Sequence, residues 1–138
     1  MSVEKITLPF SLPNVYGGFG QVKGLVNANR ERIQINFQTE DAIVGFFKSG
    51  PKYLEIPLEE IESITFKKRW WGNRFILRVF NLAVINDFPK PANNNVPAGE
   101  IRMNIKRADR ERAAKIESFI NLRLSEIGLD RSERNDLY

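Results

Sequence analysis

The residues best equipped to meet another molecule are consecutive. Lys67-Lys68-Arg69-Trp70-Trp71-Gly72-Asn73-Arg74 holds four cations and two indoles with no acid among them. Three chemistries suit that set. On a membrane the rings would lie at headgroup level while the cations drew in anionic lipid. On a nucleic acid the rings would stack on bases and the cations pair with phosphates. As a structural feature, one indole would fill the end of a barrel and the other pack on a neighbouring strand or subunit, helped by cation–π contacts with Arg69 or Arg74. Neighbours on a regular strand face opposite ways, so Trp70 and Trp71 cannot both point inward. The structural or subunit reading is the favoured one, and nucleic acid is not the expected partner.

Catalytic chemistry finds little support. The chain has no histidine and no cysteine. This removes the commonest general base, the Ser-His-Asp triad, thiolate metal sites and disulfides. Glu59, Glu60 and Glu62 follow Pro57 and could be metal ligands or an acid/base pair. The simpler reading makes them the solvated face of a turn, with Ile61 and Ile64 inward. Asp87 and Glu100 flank Asn93–Asn95, but the carboxylates are too few for an EF-hand. Gly17-Gly18-Phe19-Gly20 is followed by no Gly-Lys-Ser/Thr, which rejects a phosphate-cradling loop. The expectation is a non-catalytic protein with no cofactor and no metal.

These residues sit in a chain of 138, one domain's worth. At 42% hydrophobic and 28% charged, the composition is that of a folded protein. The net charge of +4 is unevenly placed: residues 1–60 hold six basic and seven acidic groups, residues 61–138 fifteen and ten. The basic excess thus lies in the half that carries the Trp pair. No basic start followed by a long apolar core marks a signal peptide, and no apolar run spans a bilayer. The expected location is cytoplasmic, with a peripheral membrane position as the variant.

The elements that must carry this segment read mostly as strands. Residues 3–8 could form a short strand, and Pro9 to Gly20 reads as an irregular lead-in. Gln21–Asn27 is a strand, and Asn27-Ala28-Asn29-Arg30 has turn chemistry. Arg32–Gln38 alternates, with Ile33, Ile35 and Phe37 on one face. Ala42–Phe47, Lys52–Ile56, Ile61–Trp70, Phe75–Ile85 and Gly99–Lys106 complete seven strands, with residues 86–98 as a long loop. From Ala108 to Ile127 the period changes: Ala113, Ile116, Ile120, Leu124 and Ile127 recur every three or four residues, the stripe of an amphipathic helix. Asp109 suits its start and Gly128 its end. The fold expected is a mainly β, seven-stranded antiparallel barrel or sandwich capped by one C-terminal helix. The expected division is a lead-in over 1–19, a domain over 20–128 and a polar tail over 129–138.

Seven strands followed by one helix resembles the pleckstrin-homology (PH) superfold. Ile56-Pro57-Leu58-Glu59-Glu60-Ile61-Glu62-Ser63-Ile64 is similar to a segment common in bacterial PH-like domains. The Gly72 hairpin and the Arg107-Ala108-Asp109 entry to the helix fit the same layout. The resemblance covers residues 20–128. It implies interaction, oligomerisation or membrane-surface recognition rather than catalysis. Relatives that bind phosphoinositides carry Lys-x(n)-(Lys/Arg)-x-Arg across the first hairpin, and Lys23, Arg30 and Arg32 fit that spacing. Glu31 lies between the arginines and argues against tight inositol phosphate binding. The resulting expectation is a protein–protein or self-association module, working through sheet edges or the Trp70/Trp71 hairpin. The alternative is an anionic membrane surface met through Lys67, Lys68, Arg69, Trp70, Trp71 and Arg74.

Overall fold

The computed structural model describes residues 5–15, 20–41, 51–70, 72–89 and 96–136. Seven antiparallel strands form one sheet: β1 (Ile6–Val15), β2 (Gly20–Ala28), β3 (Arg32–Asp41), β4 (Lys52–Pro57), β5 (Ile61–Lys67), β6 (Asn73–Val79) and β7 (Glu100–Ile105). The spatial order is β4-β3-β2-β1-β7-β6-β5. A single helix, α1 (Arg110–Asp136), follows. The expected fold class is therefore present.

The membership of the seven differs from the expectation. The stretch read as a short strand and an irregular lead-in is one strand, β1, paired with β2 from Ile6↔Ala28 to Val15↔Gly20. Ile6, Leu8, Phe10 and Leu12 are all buried, a period of two that outweighs Pro9. Pro9 stands opposite Leu25 of β2 within that ladder, and β1 meets β7 at one described pair, Ser11↔Asn104. The strand expected over Ala42–Phe47 lies outside the described residues.

Further boundaries move. The fifth strand stops at Lys67 rather than Trp70, so the Trp pair lies beyond it. The sixth strand stops at Val79 rather than Ile85, and Leu82–Ile85 forms a 3-10 turn. Asn81 causes the change: its side chain accepts from the Ala83 amide and starts the turn as a cap. The helix passes Gly128 and runs to Asp136. A glycine costs a helix interior only about 1 kcal/mol, and beyond it Arg131 donates to the Glu59 carbonyl at 3.5 Å.

Both arms of the sheet feed one core. Val22, Val26, Ile33, Ile35 and Ile56 come from one arm; Ile64, Phe75, Leu77, Ile101 and Met103 come from the other. A sheet whose two arms share a core must fold over on itself, and the narrow β1–β7 junction is where it does so. Gly24 of β2 permits a tight approach to the strands on either side: a Cβ would strike the Asn36 carbonyl oxygen of β3 and the Phe10 ring of β1. Gly24→Ala is expected to cost about 1–3 kcal/mol, the usual penalty of overpacking, read by urea denaturation. An unchanged midpoint would mean that β2 and β3 part easily.

Helix α1 closes the fold and one sheet edge together. Ala113, Ile116 and Ile120 are fully buried, with Phe119, Leu124 and Ile127 packed beside them. β5 ends the sheet, so one row of its backbone groups has no strand partner. Side chains of α1 take that place. Asn121 Oδ1 accepts from the Ile64 amide at 3.4 Å, and its Nδ2 donates to the Ile64 carbonyl at 2.9 Å. Glu117 accepts from the Phe66 amide at 2.7 Å.

Candidate functional site

The basic segment forms the β5–β6 turn. Lys67 and Arg74 are register partners at the ends of the two strands. Lys67, Lys68 and Arg69 are exposed, and Trp70 is 93% exposed. The Gly72 amide donates back to the Arg69 carbonyl at 3.4 Å and narrows the turn. Arg74 is half-buried. Trp71 lies outside the described residues. For Trp70, the structural role of filling a barrel end is not realised, since its ring stands in solvent.

The turn is held in place by residues that the sequence reading missed. Asn73 is 4% exposed. Its Nδ2 donates to the Ile105 carbonyl at 3.3 Å, and its Oδ1 accepts from Arg110 Nε at 3.0 Å. Arg110 Nη2 also reaches the Arg69 carbonyl at 3.4 Å. The start of α1 thereby grips the turn from behind. Asn73 reads as ordinary turn chemistry in sequence, and its distant partner Arg110 has no local signal. Lys106 and Arg107, both exposed, directly follow Ile105, the register partner of Asn73, and exposed Arg112 lies two residues past Arg110 in α1. Among the described residues, none of Lys67, Lys68, Arg69, Arg74, Lys106, Arg107 and Arg112 forms an ion pair.

Lys23, Arg30 and Arg32 are arranged quite differently. Lys23 lies within β2 and pairs with Glu40 at 3.7 Å. Arg32 pairs with Glu31 at 3.2 Å and Glu55 at 3.6 Å. Arg30 stands at the β2–β3 turn, where Asn29 Oδ1 accepts the Glu31 and Arg32 amides. Its carbonyl accepts from Arg123 Nε at 3.1 Å. Carboxylates thus neutralise two of the three cations, and the trio does not converge on the β5–β6 turn. Arg110 and Arg123, which touch the two turns, are separated by thirteen residues of helix, or about 20 Å.

The acidic candidates also find their places. Glu59 and Glu62 are exposed, while Leu58, Ile61 and Ile64 are buried, the arrangement of a solvated turn. Glu100 is 7% exposed and forms a bridge. Arg78 Nη2 donates to one of its oxygens at 2.6 Å and Arg102 Nε to the other at 2.5 Å. Burial pushes the Glu100 carboxyl up, but the hydrogen bonds from Arg78 and Arg102 and their charges outweigh burial and hold it below the ordinary 4.5. Pairing with Glu100 in turn raises Arg78. A carboxyl depressed in the fold favours the folded state above its unfolded value, and that contribution is lost as pH falls through the folded value. Stability is therefore expected to decline as pH drops below about 4.5, with a shallower decline in Glu100→Gln. Urea melts at stepped pH check this, and equal slopes would count against it.

No helix among the described residues is long and apolar enough to cross a membrane. No family model, curated protein or solved structure matches this chain.

Proposed function

We propose that this chain is a non-catalytic, PH-like binding module that docks on an anionic lipid surface through the β5–β6 turn. The observation that carries the reading is Trp70, 93% exposed at the tip of a turn with unpaired cations on both sides. An indole fully in water at a basic tip suits the headgroup layer, where its ring meets apolar chains and its N–H stays wet. Each cation near an anionic bilayer adds about 1 kcal/mol. Lys106, Arg107 and Arg112 widen the basic face behind the tip. Two-fold self-association at this turn would set the same cations against one another, which favours lipid over a second copy.

Protein–protein association has support elsewhere on the sheet. β4 is the other end of the strand order and pairs only with β3 among the described residues. Its Tyr53 is 67% exposed. A partner, or a second copy, could add a strand there. The β5 edge is less available, since Asn121 and Glu117 occupy it.

Co-sedimentation with vesicles of phosphatidylcholine alone, or with added phosphatidylserine, tests the lipid reading. Salt-sensitive binding to the anionic vesicles, weakened in Trp70→Ala, is expected. Absence of binding, together with a dimeric mass by light scattering, would instead favour strand addition at β4.

A further inference from the structure

A second site uses none of the residues of the basic turn, although Arg102 lies two positions along β7 from Asn104, the register partner of Arg74. A cavity of about 350 Å³ opens between Leu12 of β1, the Leu82–Ile85 turn and the start of β7. That volume falls within the roughly 300–1,000 Å³ of small-ligand sites. Leu12, Leu82, Ile85, Phe88 and Ile101 give it apolar walls, and Glu100 and Arg102 give it one polar side. Phe88 is fixed from behind: its ring lies 5.1 Å from that of Phe37, edge-on, and 6.3 Å from that of Phe10. Gly99, at φ +83°, lets the chain pass beneath Leu82, where a Cβ would meet Leu82 Cδ2 at 3.0 Å. The wall is thus set by packing.

We propose that this cavity binds one small anionic amphiphile, its apolar chain against Leu12, Leu82, Ile85 and Phe88 and its carboxylate on the guanidinium of Arg102. The free edge of Arg102 chooses the head group. Glu100 is matched by Arg78 and Arg102, and Glu62 faces Arg78 at 3.9 Å, so the four side chains balance in charge. Both Glu100 oxygens are already used, by Arg78 and Arg102. Arg102 spends only Nε on Glu100; its two terminal nitrogens have no partner among the described residues. Its side chain is 31% exposed, which leaves the fork open to a ligand while Glu100 holds it in place. A guanidinium with a free outer edge matches a carboxylate, and it offers a cationic head no acceptor. This inference uses no part of the lipid-surface reading, and the two sites involve different residues.

Calorimetric titration of the full chain with decanoate, decanol and decyltrimethylammonium tests it. Decanoate is expected to bind one-to-one, about tenfold tighter than decanol, as a charged hydrogen bond is worth, with the ammonium compound weaker still. Arg102→Gln should lower decanoate affinity about tenfold and leave decanol unchanged. Leu82→Glu, a change at a half-exposed wall residue, should weaken both. Circular dichroism melts confirm that each variant folds. Failure of decanoate to saturate, ammonium binding equal to or tighter than decanoate, or unchanged affinity in Arg102→Gln would each overturn the proposal.

Discussion

Replacing Lys67, Lys68 and Arg69 together by glutamine is expected to weaken binding to phosphatidylserine vesicles about a hundredfold. The magnitude comes from three cations at about 1 kcal/mol each, and 1.4 kcal/mol is a factor of ten. All three side chains are exposed and form no ion pair among the described residues. The melting temperature should therefore stay within a degree or two, since surface changes away from packed features shift stability by about 0.5 kcal/mol or less. Salt should erase much of the difference, because exposed charges are screened beyond about 8–10 Å at physiological ionic strength. The matched control is Lys23→Gln/Arg32→Gln. These cations already face Glu40, Glu31 and Glu55, and a loss as large in the control would mean that overall charge, rather than the turn, governs binding.

Ile120→Ala is expected to be the most damaging single change at the helix–sheet contact. Ile120 is 0% exposed and lies one residue from Asn121, which bonds both backbone groups of Ile64. Truncating a buried isoleucine costs about 2–5 kcal/mol through lost transfer energy and a residual cavity. For a chain of this size that corresponds to a fall of about 10 °C or more in Tm. The β5 edge would loosen in the same step, so amide exchange at Ile64 and Phe66 should quicken ahead of the strands around β2. A loss under about 1 kcal/mol would show that α1 is not packed as described.

Much of this architecture could be read from hydrophobic period alone. β3 and β7 alternate so cleanly that their inward residues, Ile33, Ile35, Ile101 and Met103, were identifiable without coordinates. The helix stripe of Ala113, Ile116 and Ile120 was equally plain. β1 was harder, because Pro9 and Pro13 are turn-formers in most settings. The pairing of β1 with β2 carries the chain through Pro9, and that pairing is a property of the assembled sheet. Gly128 misled for a related reason: a glycine permits a helix end without requiring one.

The site divides the same way. The basic, Trp-bearing segment was legible as a contact surface, but the strand alternation invoked for it does not apply, because β5 ends at Lys67 and Trp70 stands in the turn. The grip of Arg110 on Asn73 and the Arg69 carbonyl spans about 40 residues of sequence, and no local pattern encodes it. The Lys23, Arg30 and Arg32 spacing fitted a family pattern, yet pairing with carboxylates from β3 and β4 changed its meaning. In sequence, Glu100 reads as a loop-flanking acid. Two arginines, one on the adjacent strand and one two residues ahead, convert it into the fixed side of a cavity.

The most direct test of the central claim is the environment of Trp70 itself. In Trp71→Phe it is the one indole left, since the chain has two. On anionic vesicles its emission should shift to the blue and be quenched by brominated acyl chains, with neither change on neutral vesicles. Emission that remains that of an indole in water while the protein sits on anionic vesicles would contradict docking through this turn.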